Sequence, residues 1–309
     1  MIELARRTRR FSPPTKRMGI DLGGTKIEGI VLDESRHELF RTRIQTERER
    51  GYDHVLGRIQ TMVTVLREYA PESRMLGIGT PGSLSRATGL LKNSNTTCLN
   101  GRPLRADLEA RLGLSVRIEN DANCFALAEA RLGAGRNHDM VFGVILGTGV
   151  GGGLVFRGDP WSGPQHVAGE WGHHSIDPQG PACYCGQRGC VETLLCGPTL
   201  EAAYATRTAG ARGSATEIFS RAEEGENAAQ DVVKQYLEHF GRSLANVIAI
   251  LDPDIVVLGG GLSKAKLLYT AGREAVARYV FNDELRTPIE RNRLGDSAGV
   301  IGAALLPGR

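Results

Sequence analysis

The apolar positions follow two recurring patterns: short β-type runs that end at glycine, and longer runs with helical spacing. Met18–Leu22 and Ile27–Asp33 read as two short strands around a glycine turn, with a third strand near Glu38–Gln45. From Tyr52 to Ala70, Val55, Leu56, Ile59, Met62, Val63 and Leu66 share one face, which predicts an amphipathic helix. Met75–Gly79 reads as a buried strand that ends at Thr80-Pro81-Gly82. Ser115–Asn120 turns Val116 and Ile118 inward, and Asp121 then opens an alanine-rich helix through Leu132.

The pattern then restarts. Met140–Leu146 is apolar, Gly147–Gly153 reads as a turn, and Leu154–Arg157 returns as a strand. Residues 19–33 and 143–156 are both strand, glycine-rich hairpin and strand, so the chain reads as an internal duplication. A long amphipathic helix follows at roughly Ala228–Leu251, then the strand Ile255–Leu258 and the turn Gly259–Gly261. The alanine-rich segment Ala298–Leu306 predicts a last helix that folds back on the first unit. The expected organisation is an α/β protein with an N-terminal lobe at 18–120, completed by the C-terminal helix of 296–309. A second lobe occupies 121–295 and faces the first across a cleft.

Composition changes this picture in three places. The 309 residues suffice for two lobes, and 40 of them are glycine, nearly double the usual share of ~7%. Their clustering at 19–29, 143–153, 186–189 and 259–261 predicts loops that approach a ligand. The net charge of +3 is misleading, because residues 1–17 carry +5 and leave the rest at −2. Those residues read as a disordered basic extension ahead of Met18, and the body offers no basic surface for nucleic acid. The extension lacks an apolar core for a secretory signal, and no run of 18 apolar residues exists to span a bilayer. Six cysteines, three of them within eight residues, argue for metal in a reducing cytoplasm rather than for disulfides.

The chemistry concentrates in five motifs. Asp21-Leu-Gly23-Gly24-Thr25-Lys26 joins a carboxylate, two glycines, a hydroxyl and an ammonium across a hairpin, which suits phosphate. Asp21 would hold a water of Mg²⁺. Gly147, Thr148, Gly149 and Gly151 repeat that logic, and two such loops at matching positions are hard to explain as turns alone. Gly260 and Gly261 follow a buried strand, leaving either room for adenine or ribose or a simple strand-to-helix turn. Glu119-Asn120-Asp121 places three polar groups at a strand end. One of them suffices as a helix cap, and the helix dipole would keep Asp121 ionised as a proton acceptor. Finally, Gly169-Glu170-Trp-Gly-His173 precedes Cys183-Tyr-Cys185 and Cys190-Val-Glu192. One imidazole and three thiolates, His173, Cys183, Cys185 and Cys190, match a closed tetrahedral structural zinc site. His174 reads as a bystander, and Cys98, Cys124 and Cys196 as packing residues.

In these motifs the chain resembles the ROK family of bacterial sugar kinases and related repressors, from Met18 to the C-terminus. The resemblance implies the two-lobed actin-like (ribonuclease H-like) ATPase fold, ATP with Mg²⁺, structural Zn²⁺, and a hexose in the interlobe cleft. It implies sugar contacts from Asn120, Asp121, Glu170, His173 and Glu192, with Asp121 as base and transfer to the 6-hydroxyl. His173 would give one ring nitrogen to zinc and the other to a sugar hydroxyl. A homodimer is the family expectation. Residues 91–104 and 295–307 look most like the fructokinase/mannokinase branch, so fructose is the expected sugar. N-acetylglucosamine kinases and glucokinases share every motif named here and form the alternative. A repressor would need a helix-turn-helix reader, for which the 17 residues before Met18 are too few. The intact Asp121 speaks against a non-catalytic sugar sensor, and the zinc motif and sugar-type carboxylates against an actin-like filament protein.

Overall fold

A computed structural model describes residues 16–306, so most of the basic extension predicted at 1–17 lies outside the described residues. Its predicted boundary moves, because Lys16 donates to the Tyr69 carbonyl at 2.9 Å and Arg17 pairs with Leu32 as the first strand residue.

The first unit contains β1 (Arg17–Leu22), β2 (Lys26–Leu32), β3 (Glu38–Gln45), α1 (Tyr52–Tyr69) and β4 (Met75–Thr80). It continues with the hairpin strands β5 (Ser83–Leu84) and β6 (Leu91–Lys92), then α2 (Leu104–Leu112) and β7 (Ser115–Asn120). Its main sheet runs β3-β2-β1-β4-β7, antiparallel through the hairpins and parallel from β1 onward.

The second unit opens with α3 (Asp121–Leu132), β8 (Met140–Leu146), β9 (Val150–Phe156) and β10 (Asp159–Pro160). The helices α4 (Val191–Leu195), α5 (Gly197–Arg207), α6 (Ala215–Glu223) and α7 (Asn227–Leu251) follow. Then come β11 (Ile255–Gly259), α8 (Ala271–Tyr279) and β12 (Ile289–Arg291), after which α9 (Ala298–Leu305) returns to pack on β1, β2 and β4 of the first sheet, as expected. Its sheet runs β10-β9-β8-β11-β12, with the same alternation of antiparallel hairpin and parallel strands. The duplication expected from residues 19–33 and 143–156 is thus a repeat of whole-sheet topology.

Three apolar cores hold these parts. One packs α1 and α2 on the outer face of the first sheet, and a second packs α5, α6 and α7 on the outer face of the other. The third lies between the sheets, where α3 and α9 meet Ile30 and Leu32 of β2 and Val141, Val155 and Val257 of the second sheet. Both central helices carry small residues, and the strands beneath them carry glycine. A Cβ on Gly19 would overlap Ala304 of α9, and one on Gly143 would lie 2.7 Å from the Ala126 Cβ of α3. Part of the glycine excess therefore serves close helix-on-sheet packing. This corrects the expectation that every glycine cluster is a ligand loop.

The turn predicted at Gly147–Gly153 is also shorter, because β9 begins at Val150. Gly151 pairs with Ile145, and its missing Cβ faces the Ala122 Cβ at 3.2 Å, so it packs a helix on a strand. Among the described residues no helix is long and apolar enough to cross a membrane.

Candidate active site

The β1–β2 hairpin closes tightly: Gly23 N–H donates to the Lys26 carbonyl at 3.0 Å, and the Thr46 hydroxyl to the Gly23 carbonyl at 2.7 Å. Thr25 and Lys26 stay exposed at the tip, and Gly24 lies against Arg48 and Thr96. In the matching β8–β9 hairpin, Gly147 N–H donates to the Gly149 carbonyl at 3.0 Å, and its own carbonyl accepts from Gly197 at the start of α5. Gly260 follows β11 with φ 79°, and any Cβ there would strike the Leu146 carbonyl. The second and third glycine turns thereby meet at Leu146 and Gly147, and the first closes the corresponding hairpin of the other sheet. At Gly147 and Gly261 a Cβ would meet no protein atom within 4 Å, so protein packing does not demand glycine at either place.

Carboxylates gather beside these turns. Parallel pairing of β4 with β7 sets Thr80 opposite Asn120, and the chain passes directly from β7 into α3. Asn120 is the helix cap, with its Oδ1 accepting from Ala122 N–H at 2.9 Å and its Nδ2 donating to the Gly82 carbonyl at 3.3 Å. Because Asn120 caps the helix, Asp121 is not needed for that role, although its Oδ1 also accepts from Ala122 N–H at 2.8 Å. Burial pushes the Asp121 carboxyl above its ordinary range, and the amides of Ala122 and Asp121 pull it back. The expectation that the helix dipole governs this group is therefore corrected: desolvation is the larger influence. Behind Asn120, Glu119 accepts from Asn123 at 3.0 Å and from the Ser162 hydroxyl at 2.6 Å, which locks the strand end to the segment after β10.

Asp21, on β1, lies near the start of α9, where a Cβ on Gly299 would be 3.3 Å from its Oδ2. Burial and the charges of Asp121 and Glu28 push its carboxyl up to about 7, against the pull of Lys26 and Arg43. Asp21 and Asp121 thus feel each other although a hundred residues separate them. The sign of the consequence follows from linkage. With a folded-state value above its ordinary 3.8, Asp21 binds its proton more tightly in the native state. Its contribution to stability is therefore lost as pH rises from about 4 to about 7. In the ligand-free protein, Asp21→Asn is expected to raise the melting temperature at pH 8 and to flatten its fall across that window. Parallel melting profiles for variant and wild type, measured by calorimetry, would contradict this.

Glu170, His173 and Glu192 complete the cluster. Burial raises the Glu170 carboxyl; His173 and Lys92 pull it down, and Asp121 and Glu192 push it further up. Glu192, in the first turn of α4, accepts from Val150 N–H at 3.0 Å, tying the carboxylate group to the second glycine hairpin. A Cβ on Gly149 would lie 2.8 Å from the Glu192 Oε2, which explains glycine at that position.

His173, Cys183, Cys185 and Cys190 place one ligand atom each within 4.8 Å of all the others. The His173 Nδ1 is 3.5 Å from the Cys183 Sγ, and the Cys185 and Cys190 Sγ atoms are 3.6 Å apart. A tetrahedral zinc with sulfur at about 2.3 Å and nitrogen at about 2.0 Å requires edges of roughly 3.5 to 3.8 Å, so the four residues fit that ion. His174 stays outside the set, and Cys124 and Cys196 are buried in apolar cores.

Asp121, Glu170, His173 and Glu192 lie near enough to act on one another, with Asn120 next to Asp121, and the turns at 147–149 and 260–261 meet. Sequence reasoning missed four contributors. Lys92 comes from the short β6 and bears on Glu170. Arg43 and Ser297 hold the buried Glu28 behind Asp21. Tyr184 places its hydroxyl 2.9 Å from the His173 Nε2. The position of Tyr184 between two metal-type cysteines was the only sequence signal for it.

The ROK family profile matches residues 17–309. The chain is 38% identical over 298 residues to the N-acetyl-D-glucosamine kinase of Escherichia coli strain K12, covering 93% of this chain and 98% of that one. A ROK hexokinase from Thermus thermophilus superposes with a TM-score of 0.83 at 36% identity, over 94% of this chain and 97% of that chain. A ROK family glucokinase from Streptomyces griseus, solved with glucose and AMPPNP, gives 0.78 at 29% identity, over 94% and 98%. The two repeated sheets, the central helix pair and the match along nearly all of the chain agree: this protein belongs to the ROK family and has its α/β, actin-like sugar-kinase fold.

Proposed function

We propose that the protein transfers the γ-phosphoryl group of ATP to the 6-hydroxyl of N-acetylglucosamine. The coarser statement, that it is an ATP:sugar phosphotransferase, follows from its family and its relatives along nearly the whole chain. The finer one is supported by 38% identity to an N-acetyl-D-glucosamine kinase. It replaces the fructokinase/mannokinase expectation, which rested on residues 91–104 and 295–307 alone.

The observation that carries the chemistry is the meeting of Asp121, Glu170, His173 and Glu192 beside the second glycine hairpin. In this reading the turns at 23–26 and 147–149 hold the phosphates through their amides, Thr25, Thr148 and Lys26. The open side of Gly261 takes the nucleoside, while Gly260 makes the close turn against Leu146 that presents it. Asn120, Glu170, His173 and Glu192 fix the sugar ring so that its 6-hydroxyl faces Asp121. A bond forms between that oxygen and the γ-phosphorus while the bond to the leaving oxygen of ADP breaks, and the hydroxyl proton passes to Asp121. Mg²⁺ bound with the nucleotide would neutralise phosphate charge, and Asp21, raised by two nearby carboxylates, fits a place next to a cation. Zinc at the His173 cluster would hold His173 and Glu192 in position rather than enter the reaction.

A coupled ADP-release assay over N-acetylglucosamine, N-acetylmannosamine, glucose, mannose and fructose tests the sugar. N-acetylglucosamine is expected to give the highest kcat/KM. A clear preference for fructose would restore the other branch without disturbing the proposed chemistry.

A further inference from the structure

Tyr184 sits in the turn between two zinc-type ligands, a turn closed by Cys183 N–H on the Gln187 carbonyl at 2.8 Å and Gly186 N–H on the Cys183 carbonyl at 3.0 Å. Its backbone is held, yet its side chain is 76% exposed, unusual for a large aromatic group with a partnered hydroxyl. The ring stands edge-on to His173, with centroids 5.0 Å apart and planes at 83°.

The direction of the hydrogen bond follows from the cluster beneath it. The His173 Nδ1 faces the Cys183 Sγ at 3.5 Å, so this nitrogen is the one aimed at the metal position. A neutral imidazole that gives up its Nδ1 lone pair carries its proton on Nε2. That N–H therefore donates, and the Tyr184 hydroxyl oxygen, 2.9 Å away, accepts. That N–H is a donor position for a hydroxyl group. Tyrosine fills it in the free protein.

We propose that the Tyr184 phenol holds the place of a sugar hydroxyl at His173, sets the affinity for sugar, and must be displaced when the sugar binds. The proposal rests on the sugar-site reading above and deepens it. His173 cannot donate its single Nε2 proton to both oxygens, so each sugar molecule competes with an intramolecular partner tethered at the same spot. Because the side chain is exposed and its anchor is the turn backbone, it can swing outward without opening the metal cluster. The weakening should be the same for any sugar that presents a hydroxyl to His173, and smaller for one that does not.

The test is Tyr184→Phe, which keeps the ring against His173 and removes only the competing oxygen. Zinc content and melting temperature are read first, as they should match wild type. Calorimetric titration with N-acetylglucosamine and glucose, without ATP, is then expected to show about fivefold tighter binding in the variant, the scale of one neutral hydrogen bond. The fall in KM should exceed any change in kcat. Unchanged affinity would mean that the hydroxyl does not compete, and weaker affinity that it contacts the sugar directly; either result overturns the proposal. If wild type bound neither these sugars nor the others of the assay, the site reading itself would fail, and this proposal with it.

Discussion

Replacing Asp121 with asparagine is expected to lower kcat by about 10²-fold or more while sugar affinity changes far less. Phosphoryl transfer asks mainly for positioning and charge neutralisation, which the glycine turns, Lys26 and bound cation would supply. None of these can take the proton from a sugar hydroxyl. Asp121 can, because Asn120 already caps α3 and leaves the neighbouring carboxylate available. Asparagine keeps the shape and the contact with Ala122 N–H but cannot accept a proton at neutral pH. The burial that raises the Asp121 carboxyl also brings its proton affinity toward that of a useful base. The measurement is steady-state kinetics beside calorimetric sugar titration. A variant that turned over near the wild-type rate would return Asp121 to a structural role and move the search to Glu170 or Glu192.

The second large effect concerns metal. Purified protein is expected to contain about one zinc per chain, since the four ligand atoms form one closed set. Cys190 is fully buried and pairs through its backbone with Ser175, so it joins the two strands of the loop that carries the ligands. Cys190→Ser should therefore lose most of the zinc and much of the stability, because metal binding free energy is folding free energy in such loops. Sugar binding should weaken as well. The residue after Cys190 starts α4, whose first turn positions Glu192, and His173 is itself a ligand. Elemental analysis and thermal melts check this. Full zinc occupancy in the variant would remove Cys190 from the ligand set, and a zinc-free variant with unchanged melting would make the metal incidental.

How much of this was readable in advance depended on how local each feature is. Ser115–Asn120, Asp121–Leu132 and Met140–Leu146 were predicted with the bounds observed, because alternation, an alanine-rich run and an apolar run each state their own period. The gathering of His173, Cys183, Cys185 and Cys190 was legible because three of the four fall within eight residues, where spacing alone limits geometry. The helices α2, α4, α5, α6 and α8 went unnamed. For α6 a signal was present: Ser214 and Glu217 form a complete capping box. For α2 it was thin, a single row of Leu104, Leu108 and Leu112 in an otherwise charged segment.

By itself, then, the sequence determined the duplicated hairpins, the candidate metal set, the polar strand end at 119–121 and the family. Tertiary structure alone decided where the glycines belong. Gly151, Gly152 and Gly153 resemble a loop because glycine is a poor strand former, yet α3 and Trp171 press so closely on β9 that side chains there would collide. Packing overrides propensity where the backbone of one element must touch another. Only the fold could reveal that Asp21 meets Asp121, that Glu192 braces the second hairpin, and that Tyr184 covers the nitrogen of His173. These contacts join residues through the closing of two sheets on one helix pair. No periodicity along the chain encodes such a distance, because the energy that sets it comes from burying α3 and α9 between the sheets.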